Sequence, residues 1–290
     1  MSPRGERVVV VGRGKAGGSL LASLQAAGVD VVVVSARASG FDIKTRQRLE
    51  HPNTKTASRR LVPKRLQPTL VLLCVPDRVV SGIDVDVADD VLVCHVAGSL
   101  GLGALKAGRR GVFHPLASLD GKTPVPRGCL CAFDADDDDD AARLQRLAKR
   151  LGLSPCRVRD ADRSRYHAGA VIAGNLATAL LQLGIEQLEQ AGVDSDVARV
   201  SLARLLASTA ARSIRLPLDE ALTGPVARGD DATLAAHLGA IDDAMTREVY
   251  RLLSGVLIDR VVRNPKGDER DDDDAVDKEA LRRALGLGKR

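Results

Sequence analysis

Three glycines, Gly12, Gly14 and Gly17, stand in GxGxxG spacing directly after the β-branched run Val8 to Val11, inside VVVVGRGKAGGSLLASLQAAG (residues 8–28). That spacing suits a dinucleotide. Gly12 permits a tight turn, Gly14 lets the backbone approach a pyrophosphate, and Gly17 lets the next helix pack close on the strand. Leu20, Leu21 and Leu24 then recur at helical spacing up to Gly28. The pattern predicts strand, turn and helix, with the free N–H groups and positive dipole end of the helix turned to the phosphates.

The second strand, Val31 to Val34, ends in Ser35, Ala36 and Arg37, where an NAD-selective site carries Asp or Glu on the ribose. No carboxylate is there to repel a 2′-phosphate. Arg37 can pair with that phosphate bidentately while Ser35 donates a hydrogen bond, and Arg13 in the glycine turn is a further candidate. NADP is therefore the expected cofactor. The segment Ile43 to Leu66 holds eight basic residues against one acid, Glu50. It is either a solvated face or a guide for an anionic ligand.

Further polar groups fall at predicted strand ends. Thr69 to Val75 reads as a strand buried on both faces and ends in Pro76 and Asp77, which topology puts beside the cofactor. Asp77 equally suits the cap of the following helix. Val91 to Val96 delivers His95, then Gly98 and Ser99, and Gly111 to Phe113 delivers His114 and Pro115. Two histidines on one sheet edge are candidates for acid–base work.

Arg163 to Ala191 reads as one long helix, capped by Asp162 and closed by Gly192, with His167, Val171, Gly174, Asn175 and Thr178 on one face. That face is either a cleft floor, with His167 passing a proton and Asn175 holding a carbonyl, or an interhelical hydrogen-bond pair in a core. In ALTGPVARGD (221–230), Thr223 and Arg228 form a candidate anion site. Arg228 either binds a substrate carboxylate or pairs with Asp219 or Asp230.

The elements that position these groups change character along the 290 residues. Strands and helices alternate up to about residue 160, including strands at Gly128 to Phe133 and Cys156 to Arg159 around a helix from Asp140 to Leu151. Beyond that the pattern is helical. The expected fold is α/β, a doubly wound parallel sheet of Rossmann type over 1–160, followed by an all-helical domain over 161–264. An acidic linker and a terminal helix, Val276 to Leu285, complete 265–290. The aspartates at 136–140 precede a helix and are expected to be solvated there, not to bind metal.

Composition narrows the function classes. Five cysteines without a CxxC pair argue against disulfides and zinc. A net charge of +5 with 2% aromatic residues gives little on which to stack bases, so nucleic acid is not an expected partner. No signal peptide is visible, and no apolar run is read as approaching the ~20 residues of a membrane span. A cytoplasmic protein without a membrane partner is expected.

The order GRGKAG, LLCVPD, VCHVAGS, VFHPLAS, YHAGAVIAGN and LTGPVARGD, from about Val8 to about Leu253, resembles the bacterial family that pairs a Rossmann-like domain with a helical domain of unknown function 2520. That family belongs with the 6-phosphogluconate dehydrogenase-like oxidoreductases, which include pyrroline-5-carboxylate reductase, ketopantoate reductase and prephenate dehydrogenase. The resemblance implies an NADP-binding domain, a helical domain that often makes homodimers, and an active site between them. His114-Pro115 is similar to the His-Pro loop of prephenate dehydrogenases, whose histidine lies near the nicotinamide. Asn175 matches an asparagine of ketopantoate reductases, but Val171 stands where those enzymes carry a proton-transferring lysine. The acid must then be His167 or His114.

Together these readings predict an NADP-dependent oxidoreductase acting on a small anionic carbonyl or imine metabolite. Ketopantoate reductase-type activity is one alternative, and a non-catalytic NADP-binding regulator or scaffold is another.

Overall fold

The computed structural model describes residues 6–34, 62, 64–83, 85–262 and 276–288. Ser35, Arg37, most of the basic segment 43–66 and the acidic linker lie outside the described residues. The chain divides into two compact units, Met1–Asn175 and Leu176–Arg290.

The first unit is built on a seven-stranded sheet in the order β2-β1-β3-β4-β5-β6-β7. Its strands are β1 (Arg7–Val11), β2 (Asp30–Val34), β3 (Leu70–Leu73), β4 (Leu92–His95), β5 (Arg109–Pro115), β6 (Leu130–Ala135) and β7 (Ser154–Arg157). Neighbours run parallel except β5 and β6, which are antiparallel. The mostly parallel sheet agrees with the Rossmann expectation, and the reversal at β6 departs from it. Gly111↔Ala135 and Pro115↔Cys131 bound that antiparallel register, so the chain after His114 turns back along its own strand.

Val8 to Val11 show why a continuous β-branched run forms a central strand here. Val8 and Val10 enter one apolar layer with Leu20, Leu24, Leu70, Leu72, Phe113, Leu144 and Leu147. Val9 and Val11 enter the opposite layer with Val71, Leu73, Val79, Val80, Val93 and Leu105. Side chains alternate across a strand, so only a strand covered on both faces can bury all four. Helix α1 (Lys15–Ala26) and helix α3 (Asp138–Arg150) supply the first cover, and the short α2 (Asp77–Val80) contributes to the second.

Asp136 to Asp139 are exposed, as expected of acids before a helix, but Asp140 is buried and the run is tied to arginines. Asp137 caps α3 by accepting from Asp140 N at 2.8 Å. Asp140 is 1% exposed, and Arg109 of β5 forks onto it at 2.9 and 2.6 Å. Arg110 makes the same fork on Asp136 at 2.9 and 2.7 Å, and Arg157 of β7 bridges Asp134 and Asp138. The antiparallel β5–β6 pairing creates this ladder, because it sets the arginines at the start of β5 beside the acids that follow β6. A bidentate guanidinium–carboxylate pair is among the stronger polar contacts.

The predicted long helix is interrupted. Helix α4 (Arg163–Ala173) ends at Gly174, whose φ of −97° and ψ of −77° depart from helical values, and α5 (Asn175–Gln190) begins at once. The second unit comprises α5, α6 (Ser195–Arg215), α7 (Leu218–Ala221), α8 (Pro225–Arg228), α9 (Asp231–Ala240), α10 (Ala244–Val256), a π-helical turn Leu257–Val261 and α11 (Lys278–Ala284). Val226, Leu234, Ile258, Val262, Leu281 and Leu285 form its core, so the terminal helix docks on its own unit. Arg282 pairs with Asp259 at 2.7 Å and holds it there.

Asp160–Gln190, counted through the irregularity at Gly174, contains an 18-residue window of mean hydropathy 1.6, long and apolar enough by length and composition alone to cross a membrane. This corrects the expectation that no run approaches that length. Small residues hide the pattern: Ala, Gly and Thr between Ile172 and Leu183 dilute it to the eye while carrying no charge.

Breaking the Arg109 fork strands a buried carboxylate, whereas Asp138 is 93% exposed. Arg109→Met is expected to lower unfolding stability by about 2 kcal/mol, a value discounted for the half-exposed arginine. Asp138→Ala should leave the unfolding midpoint essentially unchanged. Urea unfolding midpoints of the two variants check the contrast.

Candidate active site

The C-terminal edge of the parallel strands in the first unit carries most of the candidate residues. After β1 the backbone turns at Gly12 with φ +108°, a conformation that L side chains rarely adopt. A Cβ at Gly12 would lie 2.3 Å from the Cys74 carbonyl oxygen, and one at Gly17 would lie 2.2 Å from the Gly12 carbonyl oxygen. A Cβ at Gly14 meets nothing within 4 Å. The turn is therefore pressed against the end of β3 on one side and open on the other.

Gly14 is the N-cap of α1, with no side-chain cap and no acidic residue in the first turn. Unclaimed N–H groups at a helix start form a ready anion site. The open face at Gly14 and this uncapped helix fit the pyrophosphate of a dinucleotide. The sheet order adds to the fit, since β1 sits between β2 and β3, the switch point at which such sheets take ligands.

A loop secures the same helix. Gly121 N–H donates to Ser19 Oγ at 3.1 Å, and Val125 N–H donates to Ser23 Oγ at 2.8 Å. The amides of Thr123 and Lys122 hold the Asp120 carboxylate well below its ordinary range, at about 2. Gly18 has no room for a side chain there, since a Cβ would lie 2.1 Å from the Gly121 carbonyl oxygen. The two serines on α1 are what the sequence reading missed, and their i, i+4 spacing was the available signal.

Arg13 is exposed beside the turn. Asp77 does not cap α2, whose N-cap is Pro76 without a side-chain bond. Its carboxylate instead accepts a long hydrogen bond from Ser99 Oγ at 3.4 Å, which brings the ends of β3 and β4 together.

The two strand-end histidines separate in role. His95 is fully buried. Its Nδ1 accepts from Ala97 N–H at 3.2 Å, and its Nε2 lies 3.1 Å from the Gly101 carbonyl oxygen. It is a latch for the loop after β4, and burial lowers its pKa. His114 instead meets α4. Its Nδ1 is 2.7 Å from the Tyr166 hydroxyl, with the rings edge-on at 87°. A Cβ at Gly98 would lie 3.0 Å from His114 Nε2 and 2.9 Å from His167 Nδ1. His114 and His167 thus converge on the space that Gly98 leaves.

Arg163 underlies this group, 1% exposed, donating from Nη2 to the Val158 carbonyl at 3.0 Å. Its Nε and Nη1, with His167 Nδ1, are the buried side-chain atoms without a hydrogen-bond partner among the described residues. Burial, then the Arg163 charge and the neighbouring His167 and His95, push the His114 imidazole down to about 4. Neither Tyr166 nor Arg163 stood out in the sequence, although Tyr166 precedes His167 directly.

Asn175 is exposed, and no hydrogen bond ties it to the histidines. In the second unit, Thr223 is exposed and Arg228 lies 4.0 Å from Asp230, with its side chain 65% exposed. Asp230 is engaged by Thr233, accepting from its N–H at 3.0 Å and its hydroxyl at 2.7 Å. The weak Arg228 contact leaves the guanidinium largely to solvent.

Two family profiles match the sequence, a Rossmann-like domain over residues 2–118 and the domain of unknown function 2520 over residues 129–256. The chain is a Rossmann-like domain joined to a domain of unknown function 2520. The seam between the two matches falls in the loop that leads from β5 to the antiparallel β6. The Rossmann-like domain thus holds the glycine turn and His114, and the 2520 domain holds Arg163, Tyr166 and His167. No curated protein matches the chain.

Among solved structures, a candidate NADP oxidoreductase, BF3122 of Bacteroides fragilis, is similar at 24% identity and a TM-score of 0.61, covering 86% of this chain and 96% of that one. Protein TM1727 of Thermotoga maritima is similar at 20% identity and 0.61, covering 86% and 97%. A pyrroline-5-carboxylate reductase of Coxiella burnetii follows at 14% identity and 0.53, covering 99% and 100%. At these identities the likeness is one of fold.

The depressed His114 pKa has a defined sign. Above the ordinary histidine value of about 6.5 the neutral imidazole contributes its full share of stability, which is lost as pH falls through about 4. In a histidine-resolved NMR titration His114 is expected to stay neutral until the pH nears about 4. A midpoint near 6.5 would contradict the buried arrangement.

Proposed function

We propose that the chain is an NADP-dependent oxidoreductase acting on a small anionic carbonyl or imine compound. The observation that carries this reading is the uncapped start of α1 behind Gly12, open on the sheet edge that also ends in His114. The likeness of fold to the Bacteroides protein and to pyrroline-5-carboxylate reductase supports it. NADPH, when bound, supplies the hydride.

In this reading the residues of the chain divide the work. Gly12, Gly14 and Gly17 seat the pyrophosphate, with Arg13, Pro76 and Asp77 beside it. Ser35 and Arg37 select the 2′-phosphate. His114 and His167 manage the proton in place of the lysine replaced by Val171, and Asn175 orients the substrate. Ser99 is the substrate-binding residue proposed in the first unit, and Thr223 and Arg228 are those proposed in the second.

Nicotinamide fluorescence tests the reading directly, because the chain has no tryptophan to raise the background. Saturable binding with NADPH preferred over NADH is expected, and Arg37→Ala should weaken NADPH about tenfold or more while leaving NADH unchanged. Failure to bind either nucleotide removes the reading. Turnover with oxo acids, ketopantoate among them, separates an enzyme from the non-catalytic regulator that Val171 favours. With turnover in hand, His167→Ala should lower kcat at unchanged NADPH affinity.

The partner proposed is a second copy of the chain, bound through the helical unit. Leu205 is 60% exposed and Ile214 85%, and Leu180, Val197 and Val200 join them on α5 and α6. Exposed apolar area on this scale marks an interaction surface. Asn175, Thr178 and Gln182 make Asp160–Gln190 a better packing face than a bilayer span. Light scattering is expected to give twice the chain mass, and Leu205→Glu to give the monomer.

A further inference from the structure

We propose that Tyr166 sets the tautomer of His114, its hydroxyl donating to Nδ1 so that Nε2 bears the proton offered to the substrate's carbonyl or imine acceptor. The substrate half of this proposal rests on the oxidoreductase reading above. The tautomer half rests on the protein alone.

Within the first unit His114 is faced by Tyr166, His167 and Arg163 from α4 and by His95 from β4. No carboxylate is among these neighbours, and a buried guanidinium is. Such surroundings oppose an imidazolium, and His114 is pushed down to about 4. A neutral imidazole can offer a proton only through its one N–H, so the tautomer decides what the site can do.

Two observations select the tautomer. Burial pushes the Tyr166 phenol up to about 12, so it keeps its proton and is the natural donor to an imidazole lone pair, and the 2.7 Å contact is short enough for a firm bond. His95, on the neighbouring strand, shows the same device built from backbone. Its Nδ1 accepts an N–H from Ala97, which leaves the proton on Nε2 to meet the Gly101 carbonyl. Both rings are pinned through Nδ1. They differ at Nε2: that of His95 is spent on a protein carbonyl, whereas that of His114 is turned to the space at Gly98, with no hydrogen-bond acceptor among the described residues.

The arrangement also balances the proton. Were the substrate carbon to receive a hydride from a reduced nicotinamide, which would be oxidised in turn, the carbonyl electron pair would move to oxygen. The His114 Nε2–H bond breaks and the substrate O–H bond forms. The Tyr166 O–H bond breaks and its proton forms Nδ1–H, so the imidazole stays neutral and the phenolate keeps the electron pair in the field of Arg163. One solvent proton then adds to Nε2 as the Nδ1 proton returns to the phenolate. Tyr166 acts through His114 and is a positioning residue.

The test is the tautomer itself, read by nitrogen NMR on the full chain labelled in histidine, with His114→Gln identifying the signals. In the native protein the His114 proton is expected on Nε2, with Nδ1 shifted by an accepted hydrogen bond. Tyr166→Phe should move the Nδ1 signal to the value of a free imidazole acceptor. A native Nδ1 that carries the proton overturns the proposal, whether or not the variant folds. So does an Nδ1 signal that the substitution leaves unmoved. The measurement needs no nucleotide, so failure to bind NADPH would remove the oxidoreductase reading and leave the tautomer assignment standing.

Discussion

The close approach of the β1–α1 turn to the end of β3 is the constraint on which the rest of the first unit depends. Carbonyl oxygens of Cys74 and Gly12 occupy the places where side chains at Gly12 and Gly17 would stand. Any Cβ at either position would push α1 away from the sheet, and the apolar layer between Leu20, Leu24 and the valines of β1 would open with it. The same contact leaves Gly14 facing outward and the first N–H groups of α1 unclaimed. Packing and ligand capacity are thus two results of one backbone contact.

A second constraint is charge at the far side of the sheet. Reversing β6 against β5 would leave a row of arginines and a row of aspartates on neighbouring termini, and three guanidinium–carboxylate contacts join them. Pairs of this kind add modest stability where water reaches them, and more at Asp140, where it does not. Their geometric effect is larger than their energy, because they lock β5 in register. His114 stands near the end of that strand, so its position follows from the lock.

The histidine group then shows how burial allocates roles. His95 and His114 leave adjacent parallel strands, yet one is closed by backbone groups and the other by a phenol from α4. Arg163, buried with two unpartnered nitrogens, is costly to keep at that place. Its cost is offset in part by Asp134 and Asp160, and its charge adds to the burial that lowers His95 and His114. A group so placed reinforces what burial already imposes on the neighbouring imidazoles.

The glycine spacing, the valine runs and the Leu periodicity of α1 by themselves determined the Rossmann-type sheet, the phosphate-ready turn and the helical second half, because each is a local pattern whose period matches one secondary structure. The residues that end strands were legible for the same reason, and His114 and Ser99 could be placed on one edge by topology. What only the tertiary structure decided were pairings between residues distant in sequence. The burial of Asp140 and the pairing of Asp136 and Asp138 were not legible, because the arginines that claim them stand about thirty residues earlier, on β5, or well downstream, on β7. Gly174 breaks a helix that its neighbours' periodicity would continue. Tyr166 acquires its role only when α4 meets β5, fifty-two positions away in the chain. A side chain's partner across such a distance is chosen by packing of whole elements, and no spacing within either element records it.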